Sequence, residues 1–196
     1  MSDLEYSATR FKTDKLSHGY IPHYDRHFSS LRDLPGVEIL EIGIFKGASV
    51  RMWKDWFPFA SIEAIDIDPS CKQDFGTRVS VFIEDAKMFH PVHNYDVIID
   101  DGSHTSDDIT FCFSMLWPWV KPGGFYVIED WEVQFLKSWG SPKHGTNAVV
   151  QFHGVVDELL RGAPTTEEIH LEKRGLARAS EICIYEQICF IRKAPQ

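Results

Sequence analysis

The stretch Val37-Glu38-Ile39-Leu40-Glu41-Ile42-Gly43-Ile44-Phe45-Lys46-Gly47 decides the fold. Val37–Ile42 is a mostly apolar strand that stops at Gly43. Gly47 then opens a helix with Val50, Trp53, Trp56 and Phe57 on roughly one face, and Pro58 stops it. Gly43 permits a tight turn, and Gly47 lets a ligand approach the helix N-terminus, where backbone N–H groups have no partner within the helix. A tight strand-to-helix turn that binds nothing is the other reading of the same residues.

Outward from this unit the chain alternates strands with helices and turns. Ser61–Ile67 predicts a second strand ending in Asp-Ile-Asp-Pro, and Val79–Ile83 a third ending near Glu84-Asp85. Tyr95–Asp100 predicts the fourth. Its Val97-Ile98-Ile99 run is too continuously apolar for a half-exposed strand and suits a parallel sheet buried on both faces. Thr105-x-x-Asp108 has the form of a capping box, followed by Ile109, Phe113 and Leu116 at helical spacing, with Pro118 as the stop. Pro122-Gly123-Gly124 predicts a turn into a fifth strand, Phe125–Glu129. Asn147–Leu160 reads as a helix, and Glu167–Leu171 and Glu181–Ile191 as closing strands with Gly175 between them. This alternation predicts a doubly wound α/β sheet. The first 35 residues show no clear period and read as a lid or cap (1–35) ahead of one domain (36–196).

Composition narrows the partners. The chain has 196 residues, 43% hydrophobic, with a formal net charge of −9. An acidic surface disfavours nucleic acid and anionic membranes. Met1–Arg10 lacks a signal-peptide core, and Cys71, Cys112, Cys183 and Cys189 form no CxxC pair. The expectation is a cytoplasmic protein with reduced thiols. Six tryptophans and 14 phenylalanines could supply a homodimer or homotetramer interface, or simply a rich core.

In such sheets ligands bind beyond the carboxyl ends of the strands, and the acidic residues stand there. Asp66 closes the second strand, where a carboxylate can accept ribose hydroxyls, with Asp68 as its competitor; either could equally cap a loop. Asp85 closes the third strand and reads as a partner for an adenine amino group or as a helix cap. The loop spacing is E-x-G-x-x-x-G rather than the GxGxxG of NAD sites, and an acid such as Glu41 suits a cationic amino group. Asp100-Asp101-Gly102-Ser103-His104 and Glu129-Asp130 end consecutive strands. If those strands are neighbours, about 4.8 Å apart, the carboxylates converge. A hard divalent cation relieves their repulsion; a solvated acidic rim is the alternative. Asp101, Glu129 and Asp130 are the candidate ligands, with Asp100 turned to the sheet or the cofactor edge. His104 stands three residues beyond Asp101 as a candidate general base.

Thr13-Asp14-Lys15, His18-Gly19-Tyr20, the Glu41–Gly47 loop, Asp66-Ile67-Asp68, Ile99–His104 and Val127-Ile128-Glu129-Asp130 occur in that order. Together they resemble the metal-dependent sugar O-methyltransferases of macrolide biosynthesis, the mycinamicin and macrocin type. The resemblance implies a Rossmann-like class I methyltransferase fold, a mostly parallel seven-stranded sheet with an antiparallel closing strand. It implies S-adenosylmethionine as cofactor, S-adenosylhomocysteine as product and a sugar-containing acceptor. It also implies Mg²⁺ on Asp101, Glu129 and Asp130, His104 as base, and Lys15, His18 and Tyr20 lying over the cofactor. Catechol O-methyltransferases share the spacing of the metal ligands but carry lysine where His104 stands. A catechol- or phenol-type enzyme is therefore the nearer alternative, and a non-catalytic nucleotide-binding module the farther one.

Overall fold

The strand–turn–helix unit forms as the sequence predicts, and the remaining strands assemble around it. The computed structural model describes residues 1–132 and 179–195. The seven strands are β1 (Glu38–Ile42), β2 (Ser61–Asp66), β3 (Val79–Ile83), β4 (Tyr95–Asp100), β5 (Val120–Glu129), β6 (Ala179–Ile184) and β7 (Ile188–Lys193). Their order is β3-β2-β1-β4-β5-β7-β6. Among the described residues the α-helices are α1 (Asp3–Phe11), α2 (Ile21–Phe28), α3 (Ala48–Trp56) and α4 (Ser106–Leu116). Among the described residues no helix is long and apolar enough to cross a membrane. The fold divides into two compact units, Met1–Phe89 and His90–Gln196.

In the first unit β1, β2 and β3 pair in parallel. Gly47 caps α3 with a positive φ of 72° and no side-chain hydrogen bond. A Cβ there would stand 2.5 Å from the Phe75 ring, so both backbone and space demand glycine. Trp53 and Trp56 of α3 and Phe57 beyond it pack with Tyr24 and Phe28 of α2; the Tyr24 and Trp53 rings lie 4.8 Å apart, edge to face. Residues 1–35 are more regular than expected. Leu4, Ser7 and Ala8 of α1, and Ile21, Tyr24 and Phe28 of α2, are buried at helical spacing. Their short helices carry too few turns for the period to stand out from the polar residues between them. Only 3₁₀ turns, Pro69–Cys71 and Ala86–Met88, follow β2 and β3, so the alternation with α-helices lapses there. Trp53, Trp56 and Trp117 are all in the core, which accounts for much of the aromatic content that suggested an interface.

In the second unit β4 and β5 pair in parallel, and β7 runs antiparallel to β5. Four of the six residues of β4 from Val97 onward are buried, as its continuous apolar run requires. Pro122-Gly123-Gly124, expected as a turn, lies inside β5, where the register against β4 shifts between Tyr95 and Val97. A Cβ on Gly124 would stand 2.6 Å from the Asp96 carbonyl oxygen, so glycine permits this close approach. The single closing strand expected over Glu181–Ile191 is two, β6 and β7, paired antiparallel as a hairpin. The helix expected at Asn147–Leu160 and the strand at Glu167–Leu171 lie outside the described residues. The N-cap half of the predicted capping box is present: the Thr105 side chain accepts from the Asp108 N–H, while the Thr105 N–H donates to Ser103 Oγ. Thr105→Ala should cost about 1 kcal/mol of stability by denaturant unfolding; no loss would mean the cap bond contributes nothing.

Candidate functional site

The loop after β1 is shaped by Asp66. Its Oδ2 accepts from the Ile44 N–H at 2.8 Å and the Phe45 N–H at 3.0 Å, and its Oδ1 from the Asp68 N–H at 2.9 Å. Burial by itself would raise its pKa, but these donors, joined by Cys71, outweigh it and hold the carboxyl below its usual range. The bonds let Phe45 sit at a φ of 47°, in the left-handed region. Asp66 is thus a clamp on the glycine loop, the cap-like role the sequence left open. Asp68 and Asp85 are caps of the two 3₁₀ turns: Asp68 accepts from the Ser70 N–H and Asp85 from the Lys87 N–H.

Glu41 is fully buried. Trp53 Nε1–H donates to its Oε1 at 3.1 Å, and Lys15 Nζ lies 3.7 Å from the same oxygen with both side chains at most 1% exposed. The Thr-Asp-Lys segment and the glycine loop, distant in sequence, are therefore joined by a buried ion pair. Lys15 acts as counter-charge to Glu41, since an unpaired carboxylate at that depth costs several kcal/mol. Tyr20 is buried beside them in the chain, while His18 is exposed and meets the Tyr20 ring edge-on at 5.4 Å.

The second cluster grows from the ends of β4 and β5. Asp101 and His104 lie in the loop between β4 and α4, and Asp130 follows β5. Their ligand atoms all lie within 4.8 Å of one another, each side chain half-buried. His104 Nε2 is 3.8 Å from Asp130 Oδ2. Both residues adopt positive φ, 57° and 50°. Aspartate and histidine tolerate that region better than most residues but still at a cost, and such strain gathers at functional sites. Glu129, expected as the third ligand, stands outside this group at 1% exposure and is registered against Ile188 of β7. His104 is the third member of the group.

Asp100 turns into the sheet. It is 5% exposed and accepts from the Tyr126 hydroxyl at 2.9 Å. Burial pushes its carboxyl up to about 7, against the downward pull of bonds from Tyr126 and the Gly102 N–H. Of the two orientations open for Asp100, the structure takes the one toward the sheet. Tyr126 and Trp53 carry no signal in the sequence, since their partners depend on register and on helix placement.

Residues 40–131 match the model of a methyltransferase domain family. L-olivosyl-oleandolide 3-O-methyltransferase of Streptomyces antibioticus is 35% identical over 198 residues, covering 88% of this chain and 51% of that protein. Demethylmacrocin O-methyltransferase of Streptomyces fradiae is 30% identical over 214 residues, 97% of this chain and 53% of that protein. Among solved structures, the MycE methyltransferase from the mycinamycin biosynthetic pathway, in complex with Mg and SAH, superposes with a TM-score of 0.84. It is 27% identical, and the match covers 99% of this chain and 55% of that one. The chain thus spans about half the length of the relatives it matches. By its seven-stranded sheet and these matches, the chain carries a methyltransferase domain and is similar to the sugar O-methyltransferases of macrolide pathways.

Proposed function

We propose that this protein is an S-adenosylmethionine-dependent O-methyltransferase that acts, with a divalent cation such as Mg²⁺, on a hydroxyl of a sugar or glycosylated natural product. The observation that carries this reading is the convergence of Asp101, His104 and Asp130 within 4.8 Å. Two carboxylates and an imidazole in that space suit a hard divalent cation. The glycine loop leads into α3 at Gly47, whose cap has no side-chain hydrogen bond, so the N–H groups of that helix start suit a ligand lying against backbone. When bound, the cation polarises the acceptor hydroxyl and S-adenosylmethionine supplies the methyl group.

The chain's own residues do the rest. Asp101 and Asp130 hold the cation, and His104 receives the hydroxyl proton. Glu41, balanced by Lys15 and bonded to Trp53, anchors the base of the loop that takes the cofactor's amino end, and Asp66 holds that loop's shape. Residues 1–35 are the cover of this half, anchored by Lys15, with His18 and Tyr20 on it. We also assign the protein to the cytoplasm and to a homodimer or homotetramer.

The direct test is transfer of labelled methyl from S-adenosylmethionine to a panel of glycoside and activated-sugar acceptors, with and without Mg²⁺. Labelling of catechols but of no sugar would overturn the acceptor assignment. Asp66→Ala should weaken S-adenosylhomocysteine binding about tenfold or more by calorimetry, because the Ile44 and Phe45 amides lose their acceptor and the loop its shape. An unchanged affinity would remove Asp66 from the cofactor site.

A further inference from the structure

One buried contact in the second unit is not needed by the proposed chemistry, yet it grips the loop that performs it. Tyr126 lies in the middle of β5, fully buried, with its ring edge-on to Phe113 of α4 at 4.9 Å. Its hydroxyl donates to Asp100 Oδ2 at 2.9 Å. The same Asp100 carboxylate accepts from the backbone N–H of Gly102. One side chain therefore ties the first turn of the loop to the neighbouring strand, and Asp101 is the residue between the two tied points. The far end of the loop is pinned separately. Ser103 Oγ donates to Asp108 Oδ2 at 2.6 Å, and Thr105 caps α4. His104, at a φ of 57°, sits between those two residues.

We propose that Tyr126, acting through Asp100, is a positioning residue that holds the Asp101–His104 loop in its ligand-presenting shape. A buried hydroxyl placed only to satisfy itself would serve as well against any carbonyl of the sheet. Here it meets a side chain that also receives a loop amide. The strain of His104 at positive φ needs such restraint from the surroundings, and partners behind a metal ligand typically govern 10–100-fold in metal affinity. The metal part of this inference rests on the function proposed above; the positioning part does not.

The test is Tyr126→Phe, which keeps the ring and removes only the hydroxyl. Mn²⁺ titration followed by electron paramagnetic resonance should show affinity weakened at least tenfold, with S-adenosylhomocysteine affinity unchanged. Hydrogen exchange at residues 102–104 should quicken about tenfold, with β4 and β5 protected as before. Wild-type Mn²⁺ affinity together with wild-type loop exchange would overturn the proposal. So would exchange that rises equally across β4 and β5, which marks a merely structural bond. If the wild-type protein binds no Mn²⁺, the metal reading falls, and the exchange of residues 102–104 alone decides the positioning role.

Discussion

Chelation should stop methyl transfer by this protein, and Mg²⁺ should restore it. Asp101 and Asp130 bring two carboxylates into the space of one ligand set, with His104 as third member, all within 4.8 Å. Like charges so close favour a cation between them. An acceptor hydroxyl is a poor nucleophile while it keeps its proton, so loss of the cation removes both its activation and its orientation. Asp101→Ala and Asp130→Ala should each weaken Mn²⁺ binding by more than the roughly 10–100-fold that loss of an outer-shell partner brings. Both should still bind S-adenosylhomocysteine, because the glycine loop and Asp66 are elsewhere in the chain. Full-rate methylation by chelated enzyme would end the metal mechanism.

His104→Ala should lower kcat by about 10²–10⁴-fold, the usual worth of a positioned proton acceptor, while Mn²⁺ and S-adenosylhomocysteine affinities stay within a few-fold of wild type. The geometry makes this separation informative. His104 Nε2 stands 3.8 Å from Asp130 Oδ2, close enough to serve the cluster either as acceptor of the hydroxyl proton or as a ligand. Loss of turnover with metal binding intact assigns the base. Parallel loss of Mn²⁺ affinity assigns a ligand in the place expected for Glu129. Normal turnover means that the proton leaves by another route.

Much of this was legible in the residues because it is local. A strand that stops at a glycine, a helix opened by Gly47, and the cap of Thr105 on Asp108 depend on neighbours within a few positions. So does the placement of Asp66, Asp101 and Asp130 at or just beyond strand ends. Turn chemistry and apolar period act over that range, and the sequence states both. The short helices α1 and α2 were illegible for the same reason reversed, since each has too few turns to display its period. The split of Glu181–Ile191 into β6 and β7 was hidden by a continuous run of strand-forming residues.

By itself, then, the sequence determined the strand–loop–helix units and the positions of the acids along the chain. Only the tertiary structure decided which groups meet. It set Lys15 and Trp53 on Glu41, turned Asp66 back onto the loop, and brought Tyr126 to Asp100. It also brought His104 beside Asp101 and Asp130. Each of these pairings depends on strand register or helix packing between residues far apart in the chain. A slip of one residue in a strand turns every side chain to the opposite face, so such contacts have no local signature and exist only once the sheet is assembled.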